Sequence, residues 1–148
     1  MTEAAPEYLN LARAAQRGLR VLVVDDHPVN RQVLTLTLAR IPAKTECAEN
    51  GAEAVEVFGR EPFDIVLMDL RMPVMDGFEA MRRIRALEES RGAPPTPMIV
   101  CSAHTTPMDI ARAGEAGANL HLGKPLHIPT LLDAMDQVLA PPEETAAG

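Results

Sequence analysis

Short runs of aliphatic and β-branched residues alternate along this chain with longer segments of helical periodicity, and the alternation repeats five times. A pattern of that kind folds as a parallel sheet covered by helices on both faces. The predicted strands are 20–24, 44–47, 65–68, 98–101 and 119–122. The first, third and fourth are almost wholly apolar, as strands buried on both faces are. The expected fold class is α/β, a (βα)5 doubly wound five-stranded parallel sheet. At 148 residues the chain has the size of one domain.

The helices between these strands are predicted from caps and apolar spacing. The first begins at Pro28, where a missing N–H costs nothing, and carries Val33, Leu34, Leu36, Thr37 and Leu38 on its inner face before ending near Arg40. Asn50-Gly51 opens a second with Ala54, Val55 and Phe58 inward, and Asp76-Gly77 a third with Phe78, Met81 and Ile84 inward. Residues 107–116 are rich in Ala and Gly and make the weakest helix; 128–139 make the last. The domain itself spans 19–140. Residues 1–18 form an N-terminal extension with helical spacing over 3–17, and 141–148 a polar tail expected to be disordered. Residues 90–97, with Gly92, Pro94, Pro95 and Pro97, read as a stiff extended loop. Arg82, Arg83 and Arg85 read as a solvated helix face, and Met72, Met75, Met81 and Met98 as flexible core filler.

Composition narrows the function classes. A formal charge of -7 with only 14 Lys and Arg argues against a nucleic-acid surface. No run reaches the roughly 20 apolar residues of a membrane span, and the acidic start MTEAAPEYLN is unlike a secretory signal, so the chain reads as cytoplasmic with no membrane insertion. Cys47 and Cys101 lie in apolar runs without metal-ligand spacing and are expected to be buried free thiols.

Chemistry concentrates at strand ends. Asp25 and Asp26 close the run RVLVVDD and Asp69 closes DIVLMD, which brings three carboxylates to one edge of the sheet. Each alone could be a helix N-cap. Together they repel unless a cation neutralises them, and hard oxygen ligands point to Mg2+. At the same edge the fourth strand ends near Ser102 and the fifth runs into Gly123-Lys124-Pro125. A hydroxyl and an ammonium complete a site of phosphate size.

The segments VLVVDDHPVN, IVLMDLRMPVMDGFEAMRRIR, CSAH and LGKP, in this order and spacing, resemble the receiver domains of two-component response regulators over about residues 19–140. The wording is closest to receivers of hybrid histidine kinases and phosphorelays. The resemblance implies a flavodoxin-like receiver fold with Asp69 as phosphoacceptor. It further implies Asp26 as a direct Mg2+ ligand, Asp25 as a ligand through water, and the Arg71 backbone carbonyl as another. Ser102 becomes the switch hydroxyl, Lys124 the ion-pair partner of the phosphoryl group, and the bond before Pro125 a cis peptide. The implied partners are a histidine kinase or histidine phosphotransfer protein as donor and a downstream protein at the 107–139 face. With no effector domain after residue 140, the output acts on another protein, or the chain is a piece of a hybrid kinase.

Three positions depart from the pattern. The aromatic switch position holds His121, which either swings between rotamers or is an inert strand-end residue. Arg71 and His104, beside the phosphoryl site, are expected to pair with or shield the phosphoryl group and slow its loss. Two other classes remain in view. A haloacid dehalogenase-type phosphatase would need a second Asp where Arg71 stands. A pseudo-receiver that only binds a protein would be expected to have lost one of Asp25, Asp26, Asp69, Ser102 or Lys124.

Overall fold

The computed structural model describes residues 8–103 and 105–140, so the expectations for His104, the 141–148 tail and the first residues of the extension lie outside the described residues. The elements follow in the order α1 (Leu9–Gln16), β1 (Leu19–Val24), α2 (Pro28–Leu38), β2 (Ala43–Ala48), α3 (Gly51–Arg60), β3 (Ile65–Met68), α4 (Gly77–Arg91), β4 (Met98–Ser102), α5 (Pro107–Ala116), β5 (Leu120–Gly123) and α6 (Ile128–Val138). All strands are parallel in the order β2-β1-β3-β4-β5. The chain therefore reverses its direction of winding between β1 and β3, the place where a doubly wound sheet opens a crevice.

Alternation along the strands builds two cores. Leu22, Val24, Val66, Met68, Met98 and Val100 point to one face, where α3, α4 and α5 cover them with Phe58, Phe78, Met81 and Ile84. Val21, Val23, Ile65, Leu67, Ile99 and Cys101 point to the other, under α1, α2 and α6. Full burial of each such side chain contributes roughly 1.5–3 kcal/mol, which is why β3 is wholly apolar, β4 is apolar up to Ser102 and β1 is apolar from Val21 onward. Helix starts are held locally. The Asn50 and Asp76 carbonyl and carboxylate oxygens accept the backbone N–H of Glu53 and Glu79, and Thr106 with Asp109 forms a reciprocal capping box at α5.

Four expectations are corrected. Val33 and Leu36 of α2 are 55% and 63% exposed; only Leu34 and Leu38 face the core, because the helix is covered on one side alone. Cys47 is exposed, since β2 is the edge strand and half its side chains face outward, whereas Cys101 is buried. Helix α4 runs to Arg91 and stops at Gly92, whose φ of 63° lies in the left-handed region, so the loop begins later than residue 90. Arg85 is not a solvated residue: its guanidinium donates to buried Glu88 (2.7 Å) and to the Gly117 carbonyl (2.6 Å), tying α4 to the end of α5. The N-terminal extension contributes to the core through Leu11 and Ala14, and Asp136 of α6 accepts the Leu11 N–H at 3.0 Å.

Candidate functional site

Sheet hydrogen bonding carries the acidic residues to the crevice. The Asp69 N–H donates to the Val24 carbonyl (2.9 Å) and the Asp25 N–H to the Ala48 carbonyl (3.1 Å), so both extend the ladder one step past the strand ends. Asp25, Asp26 and Asp69 each place a carboxylate oxygen within 4.8 Å of the others. Asp25 and Asp69 are buried and Asp26 is half-buried. The backbone carbonyl of Asp69 lies so close to Gly77 that any Cβ there would collide with it, which explains the glycine at the start of α4.

Lys124 enters from the end of β5. Its ammonium donates to Asp25 Oδ2 at 2.6 Å and to Asp69 Oδ2 at 3.4 Å, and its own N–H is pinned to the Ser102 carbonyl at 3.0 Å. One ammonium against three carboxylates leaves the cleft negative. Burial pushes the Asp69 carboxyl above its ordinary range; the Lys124 charge partly offsets that, and Asp25 adds to it. Burial acts to lower Lys124, but the hydrogen bond it donates to Asp25 and the two carboxylate charges outweigh it, and the ammonium is held above its usual range. The donor set, three carboxylate oxygens in a negative pocket, fits a hard divalent cation such as magnesium.

Around this cluster the switch candidates are loosely held. The Ser102 hydroxyl is buried and makes only a long 3.4 Å contact to the Ala103 carbonyl. His121 pairs with Val100 across β4 and β5, and its Nε2 is buried without a partner among the described residues. The peptide before Pro125 is cis. Burial pushes the neighbouring Cys101 thiol up to about 12, which removes it as a competing nucleophile. The Arg71 side chain, expected to pair with or shield a phosphoryl group, is paired with α5: Nη2 lies 2.7 Å from Asp109 Oδ1, and Cζ sits 5.7 Å from the centroid of Phe78. Asp109 was not anticipated as part of this neighbourhood. Its local signal, Thr106 followed three residues later by an acid, marks a capping box but does not point to Arg71.

Topology and cleft chemistry together define the class: a doubly wound α/β domain with an acidic, cation-compatible site at its switch point. Residues 21–136 match the family described as the response regulator receiver domain. The chain belongs to that family. It is 37% identical over 123 residues to the sensory/regulatory protein RpfC of Xanthomonas campestris, covering 83% of this chain and 17% of RpfC. It is 35% identical over 112 residues to the sensor histidine kinase GacS of Pseudomonas protegens, covering 76% and 12%. The chain thus spans less than a fifth of these relatives. Among solved structures, the receiver domain of sensor histidine kinase PA1611 from Pseudomonas aeruginosa, with magnesium coordinated in its active site cleft, superimposes with a TM-score of 0.74 at 33% identity, covering 82% of this chain and 98% of that one. The receiver domain of Ssk1 from Saccharomyces cerevisiae, crystallised with the histidine phosphotransfer protein Ypd1, matches with a TM-score of 0.72 at 30% identity over 77% and 83%. The chain is a receiver domain of phosphorelay signalling.

Proposed function

We propose that Asp69 accepts a phosphoryl group from a phosphohistidine. The observation that carries this reading is the Lys124 ammonium set between Asp25 and Asp69 in a cleft of three convergent carboxylates. The Asp69 carboxylate attacks phosphorus, the P–N bond breaks, and the donor imidazole leaves with the electron pair. Asp25, Asp26, Asp69 and the Arg71 carbonyl would hold Mg2+, which supplies charge neutralisation of the transferring group. Lys124 meets one phosphoryl oxygen, and the loosely bound Ser102 hydroxyl turns toward another. His121, whose ring nitrogen has no partner among the described residues, follows that movement. The chain catalyses only its own phosphorylation and dephosphorylation, in the cytoplasm.

A groove of about 340 Å³ beside the cleft, lined by Val33, Leu34, Lys124, Pro125 and Ile128, supports docking of a histidine kinase or phosphotransfer helix, and the 66% exposed Val29 lies on the same helix. The output surface is assigned to 107–139, where Met108 and Ile110 are exposed. Acetyl phosphate with magnesium should place one hydroxylamine-labile phosphoryl group on the chain and none on Asp69→Asn. Equal labelling of both proteins would remove Asp69 from its role.

A further inference from the structure

We propose that Asp109 is a positioning residue for the phosphoryl site, holding the Arg71 guanidinium on α5 until a phosphoryl group on Asp69 competes for it. The inference rests on Asp69 being the acceptor. Arg71 lies two residues beyond Asp69 in the β3–α4 loop, and its side chain is 62% exposed, while that of Asp109 is only 8% exposed. The mobile member of the pair is therefore the arginine. Asp109 cannot follow, because its second oxygen accepts the Thr106 N–H (3.2 Å) and its own N–H donates to the Thr106 hydroxyl (3.1 Å). Its carboxylate is fixed to the first turn of α5.

An ion pair with one exposed partner is weak, and a phosphoryl group offers more charge and three acceptor oxygens within reach of the same long side chain. Exchange of partners does not strand Arg71 or bare the ring below it, because the Arg112 guanidinium already lies 3.9 Å from the centroid of Phe78. Nor is Asp109 left without its cap. In the unphosphorylated chain the pair ties the β3–α4 loop to α5; in the phosphorylated chain that tie is spent on the phosphoryl group. Asp109 thereby sets two properties at once, the lifetime of the acyl phosphate and the restraint on the first turn of α5.

The test is the decay of the aspartyl phosphate in the full chain for wild type, Asp109→Asn, Arg71→Ala and the double variant, with helix content and melting followed in parallel. Asparagine keeps an acceptor for the Thr106 N–H and removes only the charge facing Arg71. Freed of its competitor, Arg71 should shield the phosphoryl group longer, extending the lifetime about two- to fivefold, the range expected for loss of a partly exposed ion pair. Arg71→Ala should shorten the lifetime, and Asp109→Asn should change nothing further in that background. A lifetime unchanged or shortened in Asp109→Asn, or an effect of Asp109→Asn that persists without Arg71, overturns the proposal. Amide exchange over 106–110 gives an independent reading that needs no Asp109 variant: phosphorylation should speed exchange in wild type, and Arg71→Ala should already show the faster rate and not respond further. Equal exchange before and after phosphorylation of wild type also overturns it. If no variant takes up phosphoryl, the failure belongs to Asp69 instead.

Discussion

Asp69→Asn should make the metal-free chain more stable. At an effective dielectric of about 20, unit charges at the 4.8 Å limit of the cluster repel by ~3.5 kcal/mol, which is the scale of the Asp25 charge acting on Asp69. The Lys124 ammonium at 3.4 Å returns ~5 kcal/mol on the same basis. The two pair terms nearly offset one another, so burial of the charge decides the sign, and asparagine removes that cost while its amide oxygen still accepts the Leu70 N–H. The gain expected in urea unfolding with a chelator at neutral pH is about 1–3 kcal/mol, or a Tm higher by roughly 4–10 °C. The pH dependence has a definite sign. Because the folded Asp69 value is raised above 3.8, its contribution is most favourable below that pH and is lost as pH rises through the folded value. The advantage of the variant should therefore vanish in acid and be complete at neutral pH. Magnesium at ten times its Kd would stabilise wild type by about 1.4 kcal/mol and narrow the gap. A metal-free variant no more stable than wild type at neutral pH would refute the electrostatic account of the cleft.

Two other substitutions address the frame of the site. Val74 is 82% exposed with φ at 72°, a left-handed conformation that burdens a β-branched residue, so Val74→Gly should raise stability by about 1 kcal/mol in chemical denaturation. Glu88 is buried and accepts from both Arg85 (2.7 Å) and the Thr96 N–H (2.6 Å); Glu88→Ala strands the Thr96 N–H and leaves Arg85 only its Gly117 contact, and should cost about 2–4 kcal/mol, read as a lower urea midpoint with an unchanged slope.

The strands were legible because burial on two faces leaves an unbroken apolar run that only a polar edge residue can end. Each observed strand lies within one residue of its expected bounds, and the carboxylates at the ends of the first and third fall where spacing put them. Side-chain exposure was less legible. Val33 and Leu36 look like core residues in sequence because the apolar spacing of a helix does not distinguish a side chain facing the interior from one facing a groove, as Val33 does, or left exposed, as Leu36 is. Cys47 was misplaced for the converse reason: an edge strand keeps a partly apolar sequence while turning half of it outward. The links from Arg71 to Asp109 and from Arg85 to Gly117 join positions 38 and 32 residues apart, and no local pattern encodes which long side chain reaches which helix end.

Several polar groups toward the carboxylate edge of the sheet are poorly satisfied, and this bears on how the site responds if Asp69 is the acceptor proposed above. Lys124 is bound tightly to Asp25 and only at 3.4 Å to Asp69, so the Asp69 oxygen is restrained less than its neighbour. Ser102 has one long hydroxyl contact, and His121 and Thr105 bury polar atoms without partners among the described residues. An unsatisfied buried polar atom costs about 1–3 kcal/mol, and each of these costs is relieved by a movement toward a new acceptor or toward water. The central strands beneath are fully buried and offer no comparable freedom. On the proposed role of Asp69, a phosphoryl group arriving there does not need to deform the sheet. It supplies acceptors to groups at the edge that are already poorly bound, so the response is a shift among nearby arrangements of loops and side chains over a rigid floor.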